Sequence, residues 1–152
     1  MVDRASSLSM LFERMSEQAR LALYFAREAV SKYGSAAVEP EHLLLGLLHE
    51  GQGPAVALLR DRFKIEPGAL IGEVASHLEH KPAFPTAIEV PFASSTREIL
   101  FAAVDEADRL SHAEVNPEHL LLGVLRIADT IPAAILSAHD VTLDAAREAV
   151  CG

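Results

Sequence analysis

Apolar residues recur at steps of three and four along much of the chain. After Ser16 they occupy positions 19, 22, 23, 26, 29, 30 and 33, which is the spacing of one face of an α-helix. Ser16 is a favourable N-cap residue, and Gly34 is a residue type that commonly ends helices. The pattern therefore predicts a helix between Ser16 and Gly34.

A second feature is that the chain repeats itself. The sequence VEPEHLLLGLL at 38–48 recurs as VNPEHLLLGVL at 115–125, an offset of 77 residues (position 118 less position 41). The same offset extends beyond this block and pairs Arg20 with Arg97, Leu23 with Leu100, Tyr24 with Phe101, and Leu59 with Leu136. Such a register predicts one structural unit present twice.

Each copy is predicted to be helical throughout. Pro40 and Pro117 suit the first turn of a helix, Asn116 is a good cap, and Glu39 is a poorer one. The first Leu-rich helix is expected to close near Gly51. Further helices are predicted over 55–62 and 67–79 in the first copy, and over 131–138 and 143–150 in the second.

The predicted fold class is therefore all-α, with four helices per copy and eight in total. Each Leu-rich helix is too apolar on all sides to face water. We expect the two to pack against each other, which relates the copies by a pseudo-twofold axis.

Three prolines in KPAFPTAIEVP at 81–91 exclude a continuous helix there. This segment is interpreted as a linker that packs through Phe84, Ile88 and Val90. The predicted boundaries are a flexible N-terminus over 1–11, a first repeat over 12–80, a linker over 81–92 and a second repeat over 93–152. The repeats together are expected to form one domain.

Composition narrows the class of function. The chain is 50% hydrophobic without tryptophan, so its core must be aliphatic. A net charge of -9 disfavours nucleic acids and anionic membranes as partners.

Cys151 is the single cysteine, which excludes an internal disulfide. No signal peptide or apolar run of membrane-spanning length is visible, so a cytoplasmic location is expected.

No pattern in the sequence indicates catalysis. The Gly-rich loop of nucleotide hydrolases, the paired histidines of zinc proteases and the nucleophile elbow are all missing. His77 and His80 are three residues apart and are interpreted as part of a solvated helix end. The sequence therefore predicts no catalytic residue, no metal site and no cofactor.

The doubled Pro-Glu-His remains as the candidate site. Glu41 and Glu118 fall in a first helical turn, where the helix dipole favours a carboxylate by about 0.3–1 kcal/mol. That effect alone accounts for a glutamate there. The functional alternative is that each carboxylate holds a guanidinium through two hydrogen bonds. His42 and His119 are predicted to be structural, with satisfied and partly buried rings.

These blocks resemble the double Clp repeat that forms the N-terminal domain of ClpC-type and related Clp unfoldases. The resemblance covers about residues 12–150 and rests on the two blocks, in each of which Glu-His is followed by a Leu-rich run that contains Leu-Gly. It implies an eight-helix domain that sits on a hexameric ATPase and receives substrates or adaptor proteins. Since the ATPase rings are missing, the sequence is interpreted as a stand-alone version of this domain.

In ClpC-type relatives the glutamates of this block bind phosphorylated arginine, and they match Glu41 and Glu118. Actinobacterial relatives also bind cyclic peptide antibiotics on this domain. The family threonine before each glutamate is replaced by Pro40 and Pro117, which removes a hydroxyl and a backbone N–H where an anion could dock. The resemblance therefore supports guanidinium recognition more firmly than phosphate recognition.

Two functions are open at this point. In the first, Glu41 and Glu118 recognise arginine-type groups, including phosphoarginine, on client or adaptor proteins of a Clp protease. In the second, the chain is an accessory subunit or decoy that docks on a Clp ATPase or peptidase, or that sequesters cyclic peptides through Phe84 and Phe92. Both make it a binding protein rather than an enzyme.

Overall fold

A computed structural model of the chain describes residues 4–49, 53–86 and 89–151. These residues contain nine α-helices and no strand longer than a single bridge. The helices are α1 (Arg4–Arg14), α2 (Glu17–Tyr33), α3 (Pro40–Leu47), α4 (Pro54–Phe63), α5 (Pro67–Ala75), α6 (Ser94–Arg109), α7 (Pro117–Arg126), α8 (Ile131–Ala138) and α9 (Leu143–Cys151). The all-α prediction is confirmed.

The predicted ends of α2 are also confirmed. The Ser16 hydroxyl accepts a hydrogen bond from the backbone N–H of Ala19 at 3.1 Å, as an N-cap does. Gly34 closes the helix with φ +67°, in the left-handed region that glycine adopts without strain. The face between them is buried at Ala19, Leu23, Ala26 and Val30, among others.

Helix α1 was not predicted. It covers most of the segment 1–11 that the sequence indicates as a flexible N-terminus, and with it the described residues contain nine helices instead of the predicted eight. Leu11 is buried and Phe12 packs on the core. Apolar residues at 8, 11, 12 and 15 repeat at helical spacing, which explains the helix. The other boundaries of the domain remain predictions.

Two glycines bring the helices of each repeat into backbone contact. A Cβ at Gly46 would lie 2.2 Å from the Ala22 carbonyl oxygen, so α3 crosses α2 at that point without room for a side chain. A Cβ at Gly123 would lie 2.5 Å from the Ile99 carbonyl oxygen, where α7 crosses α6. The repeat therefore preserves the helix crossing as well as the sequence.

The two repeats are interlocked by a pair of reciprocal parallel bridges. Val38 pairs with Phe92, and Met15 pairs with Val115, at the same offset of 77 positions. Val38 donates its N–H to Pro91 at 2.9 Å, and Val115 donates its N–H to Arg14 at 2.9 Å. The segment before α3 is thus hydrogen-bonded to the residues that precede α6. In the same way, the segment before α7 is hydrogen-bonded to the residues that precede α2.

Helix packing crosses between the repeats as well. The Leu-rich helices α3 and α7 contact each other, and their leucines at 43, 44, 120, 121 and 122 are fully buried. Helix α4 of the first repeat packs on α7, and α8 of the second packs on α3. The predicted burial of the Leu-rich helices against each other is confirmed.

Most of the remaining helix bounds agree with those predicted from the sequence. Helices α4, α8 and α9 match their predicted ranges within a residue, while α5 ends at Ala75, four residues before the predicted end. Helix α3 ends at Leu47, and Gly51, near which it was expected to close, lies outside the described residues.

The segment between the repeats runs along the end of α2. Phe84 donates its N–H to the Ser31 carbonyl at 3.1 Å, and Lys81 donates to Tyr33 at 3.0 Å. Phe84 and Val90 pack against the core as expected. Ile88, the third residue predicted to pack there, lies outside the described residues.

Within the described part of the chain, no single helix is long and apolar enough to cross a membrane. Helices α7 and α8 meet the length and composition criterion only together, as a pair bent by 95°.

A buried carboxylate ties three helices of the second repeat together. The side chain of Glu106 in α6 is 2% exposed and accepts two hydrogen bonds of 2.8 Å from Arg147 in α9. It also accepts one of 3.2 Å from Arg126 at the end of α7. The hydrogen bonds from Arg147 hold the pKa of Glu106 below its usual range, so it is ionised at neutral pH.

We expect Glu106→Gln to lower the free energy of unfolding by about 2 kcal/mol. This loss is smaller than the 3–5 kcal/mol that results from removing one partner of a fully buried ion pair, because the two arginines are about a third exposed and can be rehydrated. Because the folded-state pKa is lowered, the difference from wild type should be full above pH 4.5 and shrink as the pH falls through that lowered pKa.

Urea unfolding at several pH values measures this effect. Asp108→Asn is the matched control, since Asp108 lies on the same helix and pairs with Arg14 at 2.8 Å, but is exposed. It should change stability by less than about 1 kcal/mol. If the two variants lost the same free energy of unfolding, the buried ion pairs of Glu106 would stabilise the fold no more than an exposed ion pair does.

Candidate functional site

Each Leu-rich helix begins with a buried histidine that caps it. His42 and His119 are 0% and 1% exposed. The Nδ1 atom of His42 accepts the backbone N–H of Glu39 at 2.9 Å, and Nδ1 of His119 accepts the N–H of Asn116 at 2.8 Å. The third residue of each helix thus satisfies a donor that would otherwise be unpaired.

The second ring nitrogen of each histidine is satisfied too. Nε2 of His42 lies 3.0 Å from the Ser35 hydroxyl, and Nε2 of His119 lies 2.9 Å from Nδ1 of His112. Since Nδ1 is the acceptor in both rings, Nε2 carries the proton and donates it. Burial lowers the pKa of both residues to about 4, so both are neutral at pH 7. The prediction of structural histidines is confirmed.

Glu41 lies between Pro40 and this buried histidine, in the first turn of α3. It is half-buried, and no ion pair to it is present among the described residues. Burial raises the pKa of Glu41 and the neighbouring Glu39 raises it further, while a hydrogen bond from the backbone N–H of Glu41 and the nearby His77 oppose the change. The carboxylate is therefore accessible, partly desolvated and not neutralised by a cation within the described chain.

Glu118 holds the equivalent position in α7, with different neighbours. It lines a cavity of about 430 Å³ together with Asp61 and Arg62 of α4 and with Ala149 and Val150 of α9. Its Oε1 atom is buried and has no hydrogen-bond partner in the part of the chain that the structure describes. Arg62 comes from the other repeat, so this site is composed of both repeats.

A half-buried carboxylate with one buried oxygen that lacks a partner is suited to accept a strong donor. A guanidinium presents parallel N–H groups that match a carboxylate, and such charge-assisted bonds are stronger than neutral ones. Leaving a buried acceptor unpaired costs about 1–3 kcal/mol, which a bound donor would recover. The arrangement can therefore hold a cation, and the described residues include no group of histidine, cysteine and carboxylate side chains able to hold a metal ion.

Phe84 and Phe92 line two separate cavities. Phe84 borders one of about 530 Å³ with Phe25, Tyr33 and Leu45, among others. Phe92 borders another of about 580 Å³ between α1 and α2. The structure therefore does not bring the two predicted aromatic residues together.

The cavity at Phe92 is rich in aromatic and arginine side chains. The ring of Phe92 lies 5.9 Å from that of Phe12, and the Arg27 guanidinium lies 4.9 Å from its centroid. Tyr24 and Arg20 complete this wall. Phe12 and Tyr24 were not among the predicted site residues, because Phe12 precedes the first predicted helix and Tyr24 is not one of the apolar positions that define that helix's face.

Comparison with known proteins gives consistent results. The family model described as the Clp repeat (R) N-terminal domain matches residues 14–139. The negative regulator of genetic competence ClpC/MecB of Bacillus subtilis (strain 168) is 31% identical over 150 residues, which cover 93% of this chain and 17% of that protein. The chain thus spans about a sixth of the length of that relative.

Solved structures show the same fold. The N-terminal domain of the caseinolytic protease associated chaperone ClpD from Arabidopsis thaliana superposes with a TM-score of 0.68 at 25% identity, covering 93% of this chain and 94% of that one. A complex of a ClpV N-domain with a VipB peptide superposes with a TM-score of 0.71 at 21% identity, covering 86% and 81%.

Proposed function

The chain belongs to the Clp repeat N-terminal domain family, and from this premise we propose that it is a non-catalytic protein-binding module of a Clp system. In this proposal it recognises client or adaptor proteins through arginine-type groups, including phosphoarginine. Glu41 and Glu118 are the residues that bind them.

The observation that carries the proposal is a half-buried carboxylate at each of two equivalent helix starts, neither of which is paired with a cation among the described residues. A glutamate that served only the helix dipole would be free to point into water. Instead, the Oε1 atom of Glu118 is buried without a partner among the described residues, and burial raises the pKa of Glu41. Both features are expected of carboxylates prepared for an incoming cation.

The ligand class follows from donor geometry. A guanidinium can offer two N–H groups to one carboxylate, whereas an ammonium acts as a point charge. This interaction does not use the backbone N–H that Pro40 and Pro117 lack. The complex of a ClpV N-domain with a VipB peptide supports a protein or peptide as the partner of this fold.

We expect a phosphoarginine peptide to bind the wild-type chain and to lose at least about tenfold in affinity in the double variant Glu41→Ala, Glu118→Ala. Tenfold corresponds to about 1.4 kcal/mol, less than one charge-assisted pair contributes. Isothermal titration of the purified chain, with the unphosphorylated peptide in parallel, measures both affinities.

Glu17→Ala is the matched control, because Glu17 is also a carboxylate in a first helical turn but lies outside the repeated block. It should bind as wild type does. Equal affinity of the wild type and the double variant would exclude Glu41 and Glu118 as the binding residues.

A second function is favoured by the cavity at Phe92. Its aromatic wall, with Phe12, Tyr24 and two arginines, has the composition of binding hot spots. Under this alternative the chain docks on a Clp ATPase or peptidase, or sequesters a cyclic peptide there. A stoichiometric Clp ring in a pull-down would favour docking, and a range of arginine-phosphorylated proteins would favour client recognition.

A further inference from the structure

The cavity beside α2 that Phe84 borders is not used by the proposed function. Its volume is about 530 Å³, and α2, α3, α5 and the segment between the repeats surround it. Four of its apolar side chains remain partly exposed, namely Phe25, Leu45, Ile71 and Phe84. Cavities of this size with mostly apolar walls are typical of sites that bind small molecules.

One carboxylate of this cavity has no cationic partner. Glu28 lines the cavity from α2 and is half-buried, and it makes no ion pair with the other described residues. Lys32 lies one turn further along the same helix, but its ammonium group is 5.7 Å from the centre of the Tyr33 ring. Within the described chain, the cavity therefore combines a carboxylate that is not neutralised with apolar and aromatic walls.

The second repeat has a cation at the equivalent place. The offset of 77 positions pairs Glu28 with Asp105 and His49 with Arg126. Arg126 donates a hydrogen bond to Asp105 and another, of 3.2 Å, to Glu106. The second repeat thus neutralises this part of its long helix with an arginine of its own chain.

The first repeat keeps the carboxylate but not the arginine. His49 lies at the position of Arg126, and its ring stacks on Phe25 with the two centroids 3.5 Å apart. Ile71 lies where the second repeat has Glu148. Aromatic and apolar side chains therefore replace charged ones around a carboxylate that is retained, and this environment suits a cation with an apolar body.

We propose that this cavity binds a small organic amine. The ammonium group of the ligand pairs with Glu28, and its apolar body packs against Phe25 and Phe84. The ligand supplies from outside the cation that Arg126 supplies within the second repeat. Aromatic rings favour such a ligand, because their faces attract a cation and their area adds apolar contact.

The test is an NMR titration of the full chain with phenylpropylamine. Phenylpropanol serves as the uncharged analogue of similar shape, and propylamine as the head group alone. We expect the aromatic amine to perturb the backbone amides of Glu28, Lys32 and Phe84, with a dissociation constant of about 1 mM or lower. The two analogues should each bind at least about tenfold more weakly, because the first lacks the charge and the second lacks the apolar body.

Variants at the carboxylate test the position of the ammonium group. Glu28→Gln should weaken phenylpropylamine about tenfold and leave phenylpropanol unchanged. Glu17→Gln is the matched control, because Glu17 is an exposed carboxylate on the same helix that does not line the cavity, and it should bind as wild type does. His49→Arg should also weaken the amine, since it introduces the arginine of the second repeat at the equivalent position.

A variant that fills the cavity tests the position of the apolar body. Ala29 lines the cavity from the interior of α2, where leucine is a favourable residue. Ala29→Leu should therefore abolish binding of both phenylpropylamine and phenylpropanol, and urea unfolding should show that the fold is retained. Glu28→Gln changes no volume, so its result does not depend on this variant.

The outcomes separate this inference from the proposed function, since neither Glu41 nor Glu118 lines the cavity. The double variant Glu41→Ala, Glu118→Ala should bind phenylpropylamine as the wild type does, and Glu28→Gln should bind the phosphoarginine peptide as the wild type does. The failure of one proposal therefore leaves the other standing.

Three results would each overturn the inference: no perturbation of α2 by the aromatic amine, equal affinities for the amine and the alcohol, or unchanged affinity in Glu28→Gln. Tighter binding of an acetylated phenylalanyl-lysine amide than of the free amine would overturn it as well. That result would assign the cavity to a lysine side chain of a protein rather than to a small molecule.

Discussion

Replacing Gly123 by alanine should destabilise the domain by about 3 kcal/mol. The new Cβ would lie 2.5 Å from the Ile99 carbonyl oxygen, closer than any real side-chain atom can approach. Because that neighbour is helix backbone, α6 and α7 must move apart, and the fully buried residues around them lose their close packing. Gly46→Ala should have a similar effect, with its Cβ 2.2 Å from the Ala22 carbonyl oxygen.

The sign of this effect is diagnostic. In an unconstrained helix, alanine is more favourable than glycine by about 1 kcal/mol. Gly72 provides that reference, since it is in the interior of α5 and a Cβ there would have nothing within 4 Å. Urea unfolding should show Gly72→Ala to be slightly stabilising and Gly123→Ala strongly destabilising. Gains in both variants would mean that the helices of a repeat do not touch at their glycines.

Acid should destabilise the domain well before its carboxylates are protonated. The pKa of His42 and of His119 is lowered by burial from 6.5 to about 4 in the folded chain. The unfolded chain therefore binds more protons than the folded chain between these values, and stability falls as the pH drops from about 6.5 to about 4. A full shift corresponds to about 3 kcal/mol for each histidine.

Neighbouring charges do not reverse this direction. For His119, burial has the largest effect, His112 and Arg14 add to it, and Glu106 opposes it. The two histidines together amount to about 6 kcal/mol, which is comparable to the whole stability of many domains. We therefore expect the chain to be unfolded or close to it near pH 4.

Free energies of unfolding measured at intervals between pH 7.5 and pH 4.5 check this expectation. His139→Gln is the control, because His139 is exposed rather than buried in the core. NMR should show the ring signals of His42 and His119 constant from pH 7.5 to pH 5.5. A stability profile that is flat down to pH 5 would contradict the assignment of these rings as buried and neutral.

Local signals explain what the sequence predicts well. Ser16 and Gly34 mark the ends of α2 because capping and left-handed termination depend on one residue each. The offset of 77 predicts that Gly46 and Gly123 are equivalent, and both lie at helix crossings. Each of these features can be read from the sequence without knowing which distant residues come into contact.

Distant contacts explain what the sequence does not predict. Arg62 and Glu118 line one cavity because α4 packs on α7 of the other repeat, and no spacing along the chain indicates this. Phe84 and Phe92 were assigned to one surface because they are close in sequence. Phe84 is held beside the end of α2 by its hydrogen bond to Ser31, whereas Phe92 is held by its bridge to Val38. The two rings therefore lie apart.

The reciprocal bridges also describe how the two halves of the chain are related. Met15 with Val115 and Phe92 with Val38 are the same contact made twice in opposite directions. That is the defining property of an isologous interface, in which each partner offers the other the same surface. The two repeats are therefore arranged like the two protomers of a homodimer, joined in one polypeptide. A substitution at any of the four bridge residues changes the interface between the repeats, and not only the loop in which the residue lies.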